Sequence, residues 1–460
     1  VVQFEDVEYG PVSEAQFVYD DKVALNYLGS VEKEQVPFIP AKSRLAPSLL
    51  HGKTGLQVDI EPAILSKTDP RYMHEETPLY AGVKKHGIIT KNFHQDDLDW
   101  AGTALWESVY ATLKPLVVKP QVLTESQAVC GLDIEYYKPM DLATSAGYPY
   151  ILGPNKKKSD YVTLTYNEDL SPKALKSMDP QVRYLLDVNR EKRKQGIIPQ
   201  ELYVDMLKDE KRSKEKNMSL GGTRVYCNGP MHKVIEDRRF YMHFVAAFMK
   251  NRFDLGHGVG INPLSSEWTL LTNKLLRHNA EFMTLDYSNF GPGYNAGVAE
   301  QAYEIIVKWT LMHVEKPPDY TKDEYERTLR ALVWNNIQSH HICSNTVYHQ
   351  VAGSPSGSFF TTIVNSIVNQ LYFLLAWRMI MREEVKMQGK PIIKEFFQNV
   401  QLFVYGDDAI FTVSDKYKKK FNMKTIVGLF SKYGICATSS EKGAEIQESE
   451  GISKATFLKR

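Results

Sequence analysis

The run QLFVYGDDAIFTV, from Gln401 to Val413, places two neighbouring carboxylates inside an otherwise apolar stretch. Two β-rich runs flank Gly406 and Asp407, and a glycine at the first position of a two-residue turn is typical of a β-hairpin. Such a turn would lift Asp407 and Asp408 out of the sheet. Like charges destabilise each other, and burial adds to the cost, so the pair needs solvent or a cation. Mg²⁺ favours carboxylate oxygens and phosphates, and it would supply that charge.

A second acid strengthens the metal interpretation over the alternative, an exposed acidic hairpin tip matched by chance. Asp286 ends an apolar, β-like run that begins at Glu281, and a Gly-Pro break follows it. Acids at strand ends commonly bind ligands, although a lone Asp before Gly-Pro is more often a turn residue. Acids on two adjacent strands could hold two ions about 4 Å apart, which suits phosphoryl transfer.

A Ser-Gly loop leads without a break into a long apolar helix in GSPSGSFFTTIVNSIVNQ, Gly353 to Gln370. Gly353 and Gly357 would allow the backbone to approach a ligand closely. A polar stripe recurs every four residues on the helix, at Thr361, Asn365 and Asn369. The stripe predicts either a satisfied core network or recognition of a sugar hydroxyl, since Asn and Ser can donate or accept.

The segment LKDEKRSKEKNMSLGGTR concentrates basic side chains, and four of them could converge on a triphosphate: Lys208, Arg212, Lys216 and Arg224. A charge run considered alone is more often a solvated loop. Lys442, in TSSEKG, would likewise be interpreted as a solvated side chain when it is considered alone.

Composition predicts a folded protein with localised positive charge. The 460 residues are 43% hydrophobic and the net charge is +1. The basic runs lie at 156–158, 191–194, 208–216 and 418–420. A net charge near zero, combined with such local basic runs, suits a protein that has a positively charged channel around an acidic centre.

Cysteine spacing argues against a structural zinc site or a disulfide framework. The four cysteines lie far apart, with no CxxC and no paired His spacing, which favours a reducing compartment. The apolar stretch 359–381 carries Asn365, Asn369, Gln370 and Arg378, so we expect a buried helix and no transmembrane segment.

Periodicity and turn signals predict an α+β fold. Expected helices are one after Asp179-Pro180 that ends at Gly196, and those at 233–252, 297–314, 360–382 and 416–433; expected strands are 281–286, 402–404 and 409–413.

Taken together, these stretches resemble motifs of viral RNA-dependent RNA polymerases, and most closely those of the picornavirus-like group. Asp286, the Ser356 loop with its helix, and YGDD resemble motifs A, B and C in that order. TSAGYPY resembles motif G, LKDEKRSK motif F, TSSEKG motif D and FLKR motif E, so the likeness spans about 123–460. DYSNFGPG is similar to the variant of the iflavirus branch, which infects arthropods.

The resemblance implies a right-hand fold with fingers and a palm, in which an antiparallel palm sheet is flanked by helices. We expect an N-terminal region with fingertips at 1–122, fingers with a segment that enters the palm at 123–280, and the palm at 281–460, with a fingers insertion around 315–350. The sequence stops at FLKR, where a thumb would begin, so we expect the thumb to be largely absent from this chain.

The resemblance also implies residue roles. Asp286 and Asp407 would bind two Mg²⁺ ions, which Mn²⁺ can replace, and Asp408 would assist; Lys442 would be a general acid. The nucleotide-binding residues would be Lys208, Arg212, Lys216, Arg224, Ser356, Gly357, Thr361 and Asn365. The template would contact Thr144, Ser145 and Gly147. Motif A usually has another acid five residues after its first Asp, and here that position is Gly291.

The expected function is replication of a positive-strand RNA genome by two-metal nucleotidyl transfer. Expected partners are template and primer RNA, nucleoside triphosphates, a protein primer and other viral replication proteins, and the expected location is host cytoplasm at membrane-associated replication complexes. Two alternatives stay open. A reverse transcriptase would share the paired acids, and an inactive RNA-binding scaffold would keep the fold without catalysis.

Overall fold

The computed structural model describes residues 1–12, 23–387, 389, 391–439 and 445–460. The strands in the described residues are β1 (Gln3–Phe4), β2 (Leu25–Ser30), β3 (Ile60–Pro62), β4 (Val162–Tyr166), β5 (Pro172–Met178), β6 (Ile197–Ile198), β7 (Leu202–Leu207), β8 (Lys211–Ser213), β9 (Val225–Asn228), β10 (Glu281–Tyr287), β11 (His340–Cys343), β12 (Thr346–Gln350), β13 (Val400–Tyr405), β14 (Asp408–Val413), β15 (Ala437–Thr438) and β16 (Glu450–Gly451).

The α-helices of the same residues are α1 (Pro78–Val83), α2 (Gln95–Leu105), α3 (Glu125–Cys130), α4 (Pro180–Lys194), α5 (Lys214–Met218), α6 (Met231–Lys250), α7 (Arg252–Leu255), α8 (Ser266–Leu275), α9 (Phe290–Gly293), α10 (Ala296–His313), α11 (Lys322–Ile337), α12 (Thr361–Glu384), α13 (Pro391–Asn399) and α14 (Met423–Lys432). Short 3₁₀ turns lie at Lys33–Gln35, Lys84–Gly87, Tyr150–Leu152 and Lys158–Tyr161, and a π turn at Trp106–Tyr110 extends α2.

The chain forms two compact units, each built from three separate segments. Unit 1 comprises Val1–Ile88, Met140–Glu236 and Arg330–Phe359, and unit 2 comprises Ile89–Pro139, Asp237–Leu329 and Phe360–Arg460. Segments that are distant in sequence pack together within each unit. The fingers and palm boundaries expected at 122/123 and 280/281, and the insertion expected around 315–350, stay predictions.

Unit 1 is organised by a five-stranded sheet in the order β2-β12-β11-β7-β9. The β11–β7 pair is parallel, whereas the other neighbours are antiparallel. Helix α1 begins with Pro78 at its first turn, and Oγ1 of Thr77 accepts from the Tyr80 amide, so the start of the helix is capped. Its buried side chains join a core with Leu207, Cys343 and Tyr348.

Unit 2 contains an antiparallel sheet in the order β13-β14-β10-β15, and β16 also pairs with β10. An apolar cluster under this sheet joins strands, helix α8 and the chain end, through Leu275, Phe282, Phe403, Ile410 and Phe457. Helix α12 is long and apolar enough to span a membrane by composition, yet 89% of its most apolar window is buried in the protein. The expected core helix is therefore present.

Each helix and strand predicted from local sequence signals is present, with one clear error in its bounds. Helix α4 begins after the Asp179 cap and is followed by Gly196 at φ +82°, as expected. The helix expected at 416–433 is wrong in its first half: α14 starts at Met423, because Asn422 caps it through the Thr425 amide. Residues 415–420 form turns instead.

Candidate active site

The predicted acidic hairpin is present in unit 2. Strands β13 and β14 pair as far as Tyr405 and Asp408, so Gly406 and Asp407 form the two-residue turn. Gly406 has φ +61°, a backbone conformation that glycine adopts without strain. Both Asp407 and Asp408 are half-buried at this end of the sheet.

Asp286 lies at the same end of the sheet as the hairpin acids. Strand β10 pairs with β14 at Leu285 and Ala409, and the next positions along the two strands are Asp286 and Asp408. On its other side Asp286 pairs with Thr438 of β15. Three half-buried carboxylates therefore share one edge of an antiparallel sheet. Such hard oxygen donors suit a divalent cation that also binds phosphates.

Side chains of helix α12 form hydrogen bonds with the backbone of the hairpin turn. The amide of Gly406 donates to Oγ of Ser366 at 2.9 Å, and Nδ2 of Asn369 donates to the carbonyls of Gly406 and Asp407 at 3.0 and 3.2 Å. The Tyr287 hydroxyl donates to Oδ1 of Asn369 at 3.0 Å. Burial, together with Tyr372 and the charge of Asp407, raises the pKa of Tyr287 well above its usual value, so the hydroxyl keeps its proton.

Asn369 is thus part of a satisfied core network, which was one of the two interpretations of the polar stripe. The sequence did not single out Ser366 or Tyr287. Ser366 lies three residues before Asn369 in an apolar helix, and that spacing was the available signal.

Asn365, one helical turn before Asn369, is arranged differently. Its Oδ1 is buried and has no hydrogen-bond partner among the described residues. A β-carbon built on Gly291 would lie 3.6 Å from Nδ2 of Asn365. A buried acceptor without a partner is costly, so a ligand hydroxyl at this position would gain a strong hydrogen bond. Thr361, at the start of the same helix, is half-buried.

Ser356 and Gly357 belong to unit 1, where they pack against strand β9. The Cys227 amide donates to Oγ of Ser356 at 2.9 Å. A β-carbon on Gly357 would lie 2.0 Å from the Cys227 carbonyl oxygen, so any other residue would clash. Gly357 therefore lies close to the protein's own backbone, and its expected approach to a ligand stays a prediction. Gly353 has φ +98°, which requires glycine at that bend.

Three of the four predicted basic side chains surround one carboxylate in unit 1. Arg224 forms a bidentate pair with Glu210, whose oxygens lie 3.7 Å from Nζ of Lys208 and 3.8 Å from a guanidinium nitrogen of Arg212. Burial opposes ionisation of Glu210, but Arg224, Lys208 and Arg212 outweigh it and lower its pKa. Glu210, which the sequence analysis did not single out, organises the basic cluster.

The basic side chains of this cluster differ in how much of their surface is exposed to solvent. Arg212 also donates through Nε and Nη2 to the Gly222 carbonyl, at 3.1 and 2.5 Å, and its side chain is 16% exposed. Lys208 and Arg224 are 49% and 58% exposed. Lys216 lies exposed on α5, whose start is capped by Ser213.

The predicted template residues form a loop of unit 1 that Lys158 holds in place. Nζ of Lys158 donates to Oγ1 of Thr144 at 2.5 Å and to the Ser145 carbonyl at 2.8 Å. Gly147 has φ +75°, and a β-carbon there would lie 2.3 Å from the Gly229 carbonyl oxygen. Thr144 is exposed, Ser145 is half-buried and Gly147 is buried. Lys158 was predicted only as part of a basic run, yet it is buried.

The prediction for Lys442 lies outside the described residues. Phe457 of FLKR is buried in the apolar cluster of unit 2.

Comparison with known proteins agrees with this geometry. The family described as viral RNA-dependent RNA polymerase matches residues 54–460. The genome polyprotein of Deformed wing virus is 32% identical over 435 residues, which are 94% of this chain and 14% of that polyprotein. The genome polyprotein of Rice tungro spherical virus (strain A) is 27% identical over 453 residues, covering 96% of the chain and 13% of the polyprotein. The chain thus spans less than a sixth of the length of these two curated relatives.

Among solved structures, the chain is similar to one described as Sicinivirus 3Dpol RNA dependent RNA polymerase. The TM-score is 0.75 at 22% sequence identity, and the match covers 95% of this chain and 81% of the other. This likeness shows that the fold is that of the right-hand polymerase, with mixed helices and strands.

Proposed function

The chain belongs to the viral RNA-dependent RNA polymerase family, and from this premise we propose that it copies the RNA genome of a positive-strand virus by nucleotidyl transfer. Its likeness to Deformed wing virus, an iflavirus, confirms the predicted picornavirus-like and iflavirus relationship. The observation that carries the proposed activity is the shared position of Asp286, Asp407 and Asp408 at one edge of the unit 2 sheet. We take this sheet as the palm sheet.

The donor set fits Mg²⁺, because three carboxylates supply hard oxygens and leave room for phosphate and water ligands. Asp286 and Asp407 would hold two ions, with Asp408 assisting and Mn²⁺ able to replace Mg²⁺. When bound, the ions supply charge neutralisation at the attacking and leaving oxygens of the phosphoryl group. The network of Ser366, Asn369 and Tyr287 keeps the carboxylates in place by fixing the backbone that carries two of them.

The chain's own basic side chains would bind the triphosphate. Lys208 and Arg224 present exposed positive charge beside Glu210, which fixes their direction, and Lys216 adds an exposed charge nearby in sequence. Arg212 is tied to the Gly222 carbonyl, so we assign it the positioning of this loop as well as a long-range charge. The negative charge of a triphosphate would compete with Glu210 for these cations.

The motif B resemblance has two parts, the Ser356 loop and the helix that follows it. Residues of both parts would position the sugar and base of the nucleotide. Asn365 offers its buried Oδ1 to a ribose hydroxyl, with Thr361 on the same helix. Ser356 and Gly357 hold the preceding loop against β9. Lys442 would donate a proton to the departing pyrophosphate oxygen, which requires the amine to be protonated and within reach.

Template RNA would contact the loop of Thr144, Ser145 and Gly147, which Lys158 holds. Further partners are primer RNA, nucleoside triphosphates, a protein primer and other viral replication proteins. We place the activity in host cytoplasm, at membrane-associated replication complexes.

The test is primer extension on an RNA template, by the chain together with whatever sequence naturally flanks it. Asp407→Asn should lower incorporation by about a hundredfold or more, since even changes behind a metal ligand commonly cost 10- to 100-fold. Asp415→Asn is the matched control, because Asp415 is 77% exposed and pairs with Lys418. Near wild-type extension by Asp407→Asn would refute the assignment. Preference for dNTPs would favour a reverse transcriptase. Inactivity of the wild type would favour an RNA-binding scaffold.

A further inference from the structure

Four potential metal ligands meet on one face of the five-stranded sheet of unit 1. His86 comes from the 3₁₀ turn Lys84–Gly87, Asp205 from β7, Cys227 from β9 and His341 from β11. One ligand atom of each lies within 4.8 Å of the others. All four are buried, and none exposes more than 4% of its surface.

Asp205 is the centre of this cluster. Its Oδ1 lies 2.9 Å from Nδ1 of His341 and 3.3 Å from Sγ of Cys227, while its Oδ2 accepts from the Tyr348 hydroxyl at 2.6 Å. The Tyr348 oxygen lies 2.9 Å from Nδ1 of His86. On the far side of His341, Nε2 lies 2.7 Å from Oγ of Ser339.

Asp205 is a fully buried carboxylate whose direct neighbours are an imidazole, a thiol and a phenol. A buried carboxylate is costly unless it is hydrogen-bonded and paired with a positive charge, and a bound cation would supply that charge.

We propose that His86, Asp205, Cys227 and His341 bind one Zn²⁺ ion. Imidazole, thiolate and carboxylate are the ligands that zinc takes in four-coordinate structural sites. One carboxylate, one thiolate and two neutral imidazoles would cancel the charge of the ion, which suits a site closed to water.

Binding moves two protons. Cys227 releases its thiol proton to solvent, and Asp205 binds as the carboxylate. The proton on Nδ1 of His341 that bonds to Asp205 must leave that nitrogen: it moves to Nε2 if the ring is singly protonated, and it goes to solvent if Nε2 already carries a proton. His341 would then donate from Nε2 to Ser339 and bind through Nδ1. His86 would carry its proton on Nδ1, donating to Tyr348, and would bind through Nε2. Ser339 and Tyr348 would thus orient the two imidazoles, as outer partners of zinc-bound histidines commonly do.

The spacing of cysteines and histidines argued against a structural zinc site, because the four proposed ligands are far apart in the sequence. The four residues here are separated by 119, 22 and 114 positions, counted from the numbering of the chain. Only the sheet order β11-β7-β9 and the packing of the 3₁₀ turn bring them together.

The first test is the zinc content of the wild-type chain, purified without added metal and desalted into metal-free buffer, which removes weakly held ions. We expect about one zinc per chain by elemental analysis, and a fall in thermal unfolding temperature after EDTA removes it. Absence of retained zinc, together with no uptake of added Zn²⁺, would overturn the proposal and leave a hydrogen-bonded network.

The second test uses Co²⁺ as a spectroscopic probe of the same site. Wild type should show a sulfur-to-cobalt charge-transfer band that Zn²⁺ abolishes. Cys227→Ser should lack the band, whereas Cys130→Ser, a change at a buried cysteine of unit 2, should keep it. Should Cys227→Ser fail to fold, Ser339→Ala still tests the site, with an expected loss of about 10-fold or more in zinc affinity. An unchanged affinity in Ser339→Ala, or a cobalt band that survives in folded Cys227→Ser, would contradict the proposed ligand set.

Discussion

Gly291 lies against Asn365: a β-carbon at position 291 would be 3.6 Å from Nδ2 of Asn365. Position 291 is where the polymerase motif A that this sequence resembles usually carries an acid. Here the amide of Asn365 has a glycine beside it, and its buried Oδ1 has no partner among the described residues. Under the proposed function, this amide would recognise a ribose hydroxyl.

Asn365→Ala should reduce discrimination between ATP and dATP. A site built to bond a hydroxyl rejects its absence because a polar group is left unpaired. We expect ATP efficiency to fall and the ATP-to-dATP ratio to narrow by about tenfold. The measurement is single-nucleotide incorporation opposite a matched template base. An unchanged ratio would move the ribose sensor elsewhere, with Ser288 and Asn289 the next candidates.

Gly291→Ala is the matched control for this prediction. The new β-carbon would lie at an ordinary contact distance from Asn365, so the change should fit without displacing it. We therefore expect near wild-type efficiency and ratio from Gly291→Ala. A large loss there would mean that the Asn365 effect reports packing and not hydroxyl recognition.

The hairpin turn gives a prediction about stability. Asn369→Ala removes the donor to the Gly406 and Asp407 carbonyls, and it should lower the free energy of unfolding by about 1–3 kcal/mol. Tyr287→Phe removes only the hydroxyl that donates to Asn369, so its cost should be smaller. Urea unfolding of both variants and of the double variant measures their coupling. Fully additive effects would argue against a shared network.

The basic cluster gives a prediction about pH. The pKa of Glu210 is lower in the folded chain than its usual 4.5. Its contribution to stability is therefore present above about pH 4.5 and is lost as pH falls through the folded value. We expect acidification from pH 7 to pH 4 to destabilise wild type more than Glu210→Gln, as measured by urea unfolding. Glu215→Gln, at an exposed acid of the same segment, is the control. Equal acid sensitivity in wild type and Glu210→Gln would show that the neighbouring cations do not lower the pKa of this carboxyl group.

Sequence was sufficient where local pattern determines structure. The β-rich runs around the Gly406 turn predicted the hairpin and its acids, and the Asp179 cap predicted the start of α4. Sequence was insufficient where two residues in contact lie far apart in the chain. The contact of Gly357 with Cys227 and the meeting of His86 with His341 depend on strand order, which spacing does not encode. Lys158 shows the same limit, because a basic run gives no sign of which lysine is buried.

Lys158 leads to the last prediction. Its amine donates to Thr144 and Ser145, and burial lowers its pKa from 10.5 to about 8. Between these two values the unfolded chain binds more protons than the folded chain, so this residue makes stability rise with pH in that range. Lys158→Met should lose this rise, which urea unfolding at pH 8 and at about pH 10 can measure against wild type. It should also weaken template binding by about threefold or more, because the Thr144 loop loses its anchor. Lys157→Met is the matched control, since Lys157 is exposed and its loss removes one charge without removing the anchor. If both variants weaken RNA binding equally at low salt and neither does at high salt, the loop acts through charge and the anchoring role of Lys158 is refuted.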